Sequence, residues 1–254
     1  MTVTLSATGH VATLTFARPP ANHVSIELLR DLADALDQVD TDPDLRATVL
    51  RSEGRIFCAG ADLDPASETT PADSDFTSAL YAQAIRLFET TKPVVAAVQG
   101  AAVGAGLGLA LACDFRVAAP EARFCANFVQ LGFHAGFGIS ATLPRVIGEQ
   151  RAHLMLMTAR RIGGEQAGAW GLADSVVPLN DLDDTAHALA ADLAANAPLA
   201  VQETRRTNRA GLADLVRATT AHEGARQSEL RETADFREGI AAVAARRPGN
   251  FSGR

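Results

Sequence analysis

The order of apolar and polar residues predicts alternating strands and helices over the first part of the chain. Residues 11–16 alternate apolar and polar side chains, as a half-buried strand does. From Ser25 onward, apolar residues recur at helical spacing as far as Val39, and Ser25 is the predicted N-cap. Residues 75–90 show the same helical spacing. The pattern therefore predicts a strand followed by two helices, and the segment between the two helices is long enough to contain a further strand.

Shorter segments complete this pattern. We predict strands at 48–50, 94–98, 115–118 and 122–124, a turn-rich loop at 52–64 and a small-residue helix at 103–112. Strands that alternate with helices favour a mostly parallel sheet with right-handed crossovers. After about Gly148 the residues Ala, Leu, Arg and Glu dominate, and only Val176-Val177 has an extended pattern. The sequence thus predicts an α/β core followed by a helical C-terminal third.

One uncharged segment has the length of a membrane span. Residues 93–113 contain no charged side chain, and their glycines include a G-x-x-x-G spacing. Gln99 and four glycines interrupt the segment, however, and its first part reads as a β-strand. We therefore interpret it as a buried strand, loop and helix, and expect no membrane interaction.

Composition narrows the class of protein further. The 254 residues are 47% hydrophobic and 21% charged, which predicts a globular chain with a sizeable core. The net charge of -7, with no basic run longer than two residues, argues against nucleic-acid binding. Three scattered cysteines and isolated histidines predict neither a disulfide framework nor a metal site. With no secretion signal at the N-terminus, a cytoplasmic location is expected.

Three motifs occur together and in a fixed order. They are FCAGADL at 57–63, QGAAVGAGLGLALACD at 99–114, and LMTARRI at 156–162 with WGLA and VVP after it. The segments 236–239 and 246–251 add to the match. Together they resemble the crotonase superfamily, also called the enoyl-CoA hydratase/isomerase family, over nearly the whole chain.

The resemblance implies a fold, a ligand and an assembly. The fold would be a crotonase-like ββα spiral core, of the α/β class, over residues 1–195, with a C-terminal helical trimerisation region over 196–254. The ligand would be an acyl- or enoyl-CoA thioester, with coenzyme A as part of the substrate and no other cofactor. The chain would form a homotrimer or a dimer of trimers.

The two glycine-rich motifs suit stabilisation of a thioester carbonyl. Two backbone N–H groups that converge on one oxygen stabilise the negative charge that develops there, and a helix start supplies free N–H groups. By motif match, the family's oxyanion hole falls on the N–H groups of Ala61 and Ala105. Close helix packing alone also explains Gly104 and its neighbours, whereas a dinucleotide site does not fit, because Leu109 breaks G-x-G-x-x-G.

The resemblance also implies that the usual catalytic carboxylates of the family are absent from this chain. The two glutamates of the family's hydratases correspond to Gly108 and Phe128, and the carboxylate of its isomerases and dehalogenases lies near Gly136. None of these side chains can carry a proton, and each such group contributes about 10²–10⁴ in rate. Ordinary hydration is therefore doubtful, and glutamate at both 108 and 128 is expected to raise it.

Other residues are candidates for the remaining roles. His134, in a glycine-punctuated loop, is the candidate base, and a packing role is the alternative. Arg18, Ala21 and Asn22 are expected to border the nucleotide, with Arg246 or Arg247 as further candidates. The substrate-binding positions are predicted to be Arg18, Ala21, Asn22, Ala59, Gly60, Asp62, Leu63, Gly104, Gly108, Asn127, Phe128 and Gly136.

Two function hypotheses follow from these residues. The first is an enzyme that acts on an acyl- or enoyl-CoA with non-standard acid–base residues, in fatty-acid or related acyl-CoA metabolism. The second is a catalytically silent protein that binds or carries acyl-CoA.

Overall fold

The strands of the described residues form two sheets. The structure, a computed structural model, describes residues 1–61 and 74–254. Its strands are β1 (Thr2–Thr8), β2 (Val11–Ala17), β3 (Ala47–Ser52), β4 (Val94–Val98), β5 (Ala101–Val103), β6 (Phe115–Ala118), β7 (Arg123–Cys125), β8 (Ile162–Gly163) and β9 (Ser175–Val176). The larger sheet has the order β1-β2-β3-β4-β6-β9, and the smaller one has the order β5-β7-β8. From β2 to β9 the larger sheet is parallel, which confirms the predicted mostly parallel sheet.

The chain moves from the larger sheet to the smaller layer three times in succession. β4 leads directly into β5, and β6 leads into β7. One turn earlier, the chain leaves β3 and pairs through Cys58 with Ala102 of β5. Three successive turns of the chain, each running from the larger sheet to the smaller layer, therefore stack side by side. The residues that follow each turn meet at one edge of this stack.

Helices cover both faces of the larger sheet. They are α1 (Ile26–Thr41), α2 (Ser74–Glu89), α3 (Ala105–Ala112), α4 (Ile139–Ile147), α5 (Glu149–Thr158), α6 (Gly164–Trp170), α7 (Leu182–Ala194), α8 (Pro198–Asn208), α9 (Leu212–Arg231) and α10 (Ala234–Ala244). Leu14 and Leu50 point to the face that packs on α1 to α3, whereas Val49 and Val95 pack on α7. This alternation is the two-residue period of a strand that is buried on both faces.

Most predicted elements are confirmed within a residue or two. The predicted N-cap is also confirmed, since the Ser25 hydroxyl accepts a hydrogen bond from the Leu28 N–H at 3.1 Å. The start of the small-residue helix was wrong, because Val103 ends β5 and α3 begins at Ala105. Gly104 separates the two elements with φ 53° and ψ -120°, a conformation that a helix cannot continue. The exposed strand β1, the short strand β5 and the two-residue strand β8 were not predicted.

After Gly148 the structure is mostly helical, as the composition change indicates. The extended pattern at Val176-Val177 corresponds to β9. The predicted boundary between 195 and 196 falls in the connection between α7 and α8 and stays a prediction. Over the described ranges, no helix combines the length and apolarity needed to cross a membrane.

A nearly buried ionic cluster attaches α8 to the sheet. The Asp114 carboxylate accepts hydrogen bonds from Arg205 Nε at 2.9 Å, from Arg209 Nη1 at 3.0 Å and from the Val94 N–H at 2.8 Å. The side chains of Asp114 and Arg205 are only 12% and 9% exposed. The aspartate that closes the second motif is thus a structural anchor for the C-terminal helices.

Replacement of Asp114 by Asn should destabilise the protein strongly. The change leaves two poorly hydrated guanidinium groups without a counter-charge, which costs about 3–5 kcal/mol in the free energy of unfolding. Urea unfolding measures this loss. The matched control is Asp31→Asn, because Asp31 pairs with Arg30 in an exposed salt bridge and should change stability by less than about 1 kcal/mol. Equal losses in the two variants would contradict the anchoring role.

Candidate active site

The ends of the three stacked turns are joined by backbone hydrogen bonds. The Cys58 N–H donates to the Ala101 carbonyl at 2.9 Å, and the Val103 N–H donates to the Cys58 carbonyl at 3.0 Å. The Gly104 N–H donates to the Cys125 carbonyl at 2.9 Å. These bonds fix the segments after Cys58, β5 and β7 next to one another.

A cavity opens where these segments end. Its wall combines the three turn ends with side chains from α2, α9 and the loop before α4. The lining residues are Ala59, Gly60, Ala61, Thr77, Leu80, Tyr81, Gly104, Ala105, Asn127, Phe128, Leu131, Phe133, Gly136, Phe137, Gln227 and Arg231. Of the predicted site residues, the structure therefore brings Ala59, Gly60, Ala61, Gly104, Ala105, Asn127, Phe128 and Gly136 together.

Ala61 and Ala105 both line this cavity, so their backbones reach its wall. Ala105 is the first residue of α3, so its N–H has no hydrogen-bond acceptor within the helix. Among the described residues, neither amide donates to a backbone carbonyl. A Cβ built on Gly60 would lie 3.5 Å from the Ala105 nitrogen, which shows how closely the two turns approach. Ala105 does not have a positive φ, so alanine is accommodated at this position without strain.

Glycine is required where α3 meets the first turn. A Cβ on Gly106 would lie 2.1 Å from the Cys58 carbonyl oxygen, which no backbone adjustment of ordinary size relieves. Glycine here therefore lets the helix approach the first turn closely, and Ala61 and Ala105 line the same cavity.

Phe137 occupies the space next to Gly108. A Cβ on Gly108 would lie 2.5 Å from Phe137 Cδ1, so any side chain at 108 would collide with this ring. Phe137 is 1% exposed and has φ 63°, an unfavourable conformation for an aromatic residue. The buried Glu223 carboxylate holds the following residues in place by accepting hydrogen bonds from the Gly138 N–H and the Ser140 N–H at 2.7 and 3.1 Å. Gly108 itself does not line the cavity.

Tyr81 occupies the space next to Gly136. A Cβ on Gly136 would lie 2.1 Å from the Tyr81 hydroxyl oxygen and 2.5 Å from Gln227 Nε2. The Tyr81 hydroxyl donates to Gln227 Oε1 at 2.9 Å, and Gln227 Nε2 donates to the His134 carbonyl at 3.0 Å. Burial, and secondly the charge of Glu223, raise the pKa of Tyr81, which therefore stays protonated at neutral pH.

His134 contacts the lining residue Gln227 through its backbone carbonyl and not through its ring. The ring packs edge-on against His222 at 6.0 Å between centroids, and Nδ1 lies 2.8 Å from the Ala135 carbonyl oxygen. The ring is not part of the cavity wall.

The predicted nucleotide-binding segment lies behind the first turn. The Ala59 N–H donates to the Ala21 carbonyl at 3.1 Å. The Asn22 side chain is buried, accepts from the Arg18 N–H and donates to the carbonyls of Glu53 and Ile56. Asn22 thus holds the local loops together, and none of the predicted residues Arg18, Ala21 and Asn22 lines the cavity.

The remaining candidates are placed as follows. Asp62 and Leu63 lie outside the described residues. Arg247 is exposed and forms a salt bridge with Glu238. The thiols of Cys58 and Cys113 are buried, and burial raises the pKa of each to about 12. Burial also raises the pKa of Cys125, so all three cysteines behave as packing residues.

Four polar side chains of the wall were missed from the sequence. Thr77 and Tyr81 lie one turn apart on α2, and Gln227 and Arg231 lie one turn apart on α9. No motif marks them. The signal that could have revealed them is their spacing, because two polar residues four positions apart lie on the same face of a helix, here a face that is otherwise buried.

Comparison with known proteins identifies the family to which the chain belongs. The enoyl-CoA hydratase/isomerase family model matches residues 6–254. The (E)-benzylidenesuccinyl-CoA hydratase of Thauera aromatica is 35% identical over 100% of both chains. The carnitinyl-CoA dehydratase of Proteus mirabilis is 36% identical over 85% of this chain and 80% of its own length.

A solved structure gives the same result. The crystal structure of an enoyl-CoA hydratase/isomerase from Pseudoalteromonas atlantica superposes with a TM-score of 0.87, at 30% identity, over 98% of this chain and 99% of that one. The chain therefore belongs to the enoyl-CoA hydratase/isomerase family of the crotonase superfamily, and its mixed α/β fold is the crotonase fold.

Substitution of Gly108 should be coupled to Phe137. We expect Gly108→Ala to cost about 1–3 kcal/mol in the free energy of unfolding, because the new methyl group overlaps the ring. The cost should nearly vanish in a Phe137→Gly background, where the ring is absent and glycine accepts the positive φ. A double-mutant cycle by urea unfolding measures this coupling. Additive effects of the two changes would show that the ring does not occupy this space.

Proposed function

We propose that the chain binds an acyl- or enoyl-CoA thioester whose carbonyl oxygen accepts hydrogen bonds from the N–H groups of Ala61 and Ala105. The observation that supports this proposal is that Ala61 and Ala105 both line one largely apolar cavity. Such donors act without reorganisation in a site that excludes water. The relatives named above support a CoA thioester as the ligand, since both are named for reactions of such compounds.

The apolar wall suits the acyl group. Leu80, Leu131 and Phe128 are buried at the cavity, and the rings of Phe128 and Phe133 lie 6.3 Å apart. Burial of an acyl chain against such a surface contributes about 25 cal/mol for each Å² removed from water. An acyl chain placed there would have its thioester at the amides of the turn ends.

The acid–base chemistry of this site would be non-standard. Gly108 and Phe128 carry no proton, and the described part of the cavity wall contains no carboxylate and no imidazole. Tyr81 remains protonated and already donates its proton to Gln227. The site would thus polarise a thioester and supply little proton transfer from the residues of this wall. The predicted role of His134 as a base would require its ring to move from its contact with His222.

The same observation favours the second candidate function. A catalytically silent protein that binds or carries acyl-CoA needs the amides and the apolar wall, and it does not need a proton-transfer group. The predicted trimer or dimer of trimers and the cytoplasmic location stay predictions under either function.

Ala105→Pro should remove one hydrogen-bond donor and leave α3 intact. Proline is favoured at the first position of a helix, where its missing N–H has no acceptor within the helix. With a conjugated dienoyl-CoA, the wild-type protein should shift the ligand's absorption to longer wavelength, because the carbonyl is polarised. The Pro variant should lose this shift, and any turnover should fall about 10²–10³-fold.

The control for this experiment is Ala105→Gly, which keeps the N–H and should keep the shift. Far-ultraviolet circular dichroism verifies that both variants fold. A full shift in the Pro variant would contradict the role proposed for the Ala105 amide.

Crotonyl-CoA should be hydrated far more slowly than two positioned carboxylates would allow. Each missing group accounts for about 10²–10⁴ in rate. Glutamate at 108 collides with Phe137, so we expect the increase predicted for Gly108→Glu with Phe128→Glu only when Phe137→Gly is added. Hydration is followed by the loss of enoyl absorbance. Rapid hydration by the unaltered protein would contradict this account of its acid–base residues.

A further inference from the structure

The cavity at the turn ends is small. Its volume is about 70 Å³. An apolar cavity of about 150 Å³ holds a molecule of the size of benzene, so this one has room for roughly three carbon atoms. A thioester whose carbonyl lies at Ala61 and Ala105 would therefore fill the cavity with the first few carbons of its acyl chain. A longer chain needs a way out of this cavity.

Tyr81 is held in the cavity wall by contacts at both ends of its side chain. Its hydroxyl donates to Gln227 Oε1 at 2.9 Å, and Gln227 Nε2 donates in turn to the His134 carbonyl at 3.0 Å. The same hydroxyl oxygen fills the space beside Gly136. The ring packs on Gly224 of α9, where an added Cβ would lie 3.8 Å from Tyr81 Cε2. The side chain thus reaches from α2 to α9 and to the loop before α4.

A larger groove lies on the other side of Tyr81. It runs between α2 and α9 and has a volume of about 600 Å³, and Ile85 and Gly224 are among the described residues that line it. Thr77 and Tyr81 line both the cavity and the groove, so their side chains separate the two spaces. Because Thr77 is small, the Tyr81 ring forms most of this partition. Loss of the ring would connect the cavity with the groove.

The wall near Leu131 and Phe133 is backed by a helix instead. The rings of Phe133 and of Phe236 in α10 lie 5.2 Å apart between centroids. A Cβ on Gly239 of α10 would lie 2.4 Å from the Leu131 carbonyl carbon, so this helix packs directly on the backbone behind the wall. α10 thus fills the space behind Leu131 and Phe133. At Tyr81, by contrast, one aromatic side chain stands between the cavity and an open groove.

We propose that Tyr81 ends the acyl cavity and restricts the ligand to short acyl chains, of about four carbons counted from the thioester carbonyl. The ring lies where the further carbons of a longer chain would have to pass to reach the groove. The surrounding packing is too dense for a chain to enter unless the ring moves, and movement would also break its hydrogen bond to Gln227. This inference rests on the proposed binding of acyl-CoA and specifies the length of the acyl group.

Binding constants for a series of ligands test the inference. Isothermal titration calorimetry compares acetyl-, butyryl-, hexanoyl-, octanoyl- and decanoyl-CoA. For the wild-type protein, affinity should rise about fourfold for each added carbon as far as butyryl-CoA and should not rise beyond it. For Tyr81→Ala, affinity should continue to rise through hexanoyl- and octanoyl-CoA, so that octanoyl-CoA binds at least about tenfold more tightly than butyryl-CoA.

Three further variants keep the test decisive. Ile85→Ala shortens a side chain that lies one turn further along α2 and lines the groove but not the cavity, so it should keep the wild-type limit. Tyr81→Phe retains the ring and should keep this limit as well. Tyr81→Leu should move the limit by fewer carbons than Tyr81→Ala, which provides a second reading if the Ala variant fails to fold.

Two results would overturn the inference. One is a wild-type affinity that still rises from butyryl- to decanoyl-CoA, and the other is an unchanged limit in the folded Ala or Leu variant of Tyr81. Both results would leave the proposed function standing, because acyl-CoA would still bind. If the wild-type protein binds no acyl-CoA of any length, the proposed function itself is wrong.

Discussion

Parallel stacking of three successive chain turns is the constraint on which the rest of this structure depends. Backbone hydrogen bonds join Cys58 to β5 and join Gly104 to the end of β7, so the segments that follow these points cannot separate. The missing side chain of Gly106 then lets α3 approach the first turn. As a result, Ala61 and Ala105, which are distant in sequence, line one cavity, and Ala105 starts a helix whereas Ala61 follows a glycine with positive φ. The carbonyl-binding site that we propose within this cavity is thus made of backbone groups.

Side chains from other parts of the chain decide what this backbone site can do. Phe137 fills the space beside Gly108, and Tyr81 fills the space beside Gly136. In both cases an aromatic side chain fills the space that the carboxylate implied by the family resemblance would need. Each position therefore has to be glycine as long as its aromatic neighbour keeps this place. Phe137 has a positive φ and directly precedes Gly138, whose N–H, together with the Ser140 N–H, donates to the buried Glu223 carboxylate. The shape of the cavity therefore depends on buried polar contacts as well as on apolar packing.

Much of the fold, and the two segments that bring Ala61 and Ala105 to the cavity, could be predicted from the sequence. Strand and helix patterns have periods of 2 and 3.6 residues, and the motifs that contain Ala61 and Ala105 are local, so both can be read from short windows. The pairing of Tyr81 with Gln227 joins residues 146 positions apart, and no short window contains that information. The boundary at Gly104 was missed for a related reason, because an apolar run does not show where a strand ends and a helix begins. The polar side of the cavity becomes apparent only once α2 and α9 are placed together.

The central claim is that the amides of Ala61 and Ala105 hold a thioester carbonyl, and isotope-edited infrared spectroscopy tests it most directly. An acyl-CoA labelled with ¹³C at the thioester carbon gives a carbonyl band that can be separated from the protein's own amide bands. If the two N–H groups donate to this oxygen in a dry cavity, the band of the bound ligand should lie at lower wavenumber than the band of the free ligand in water. A bound ligand whose band stays at the aqueous position, or moves to higher wavenumber, would contradict the account.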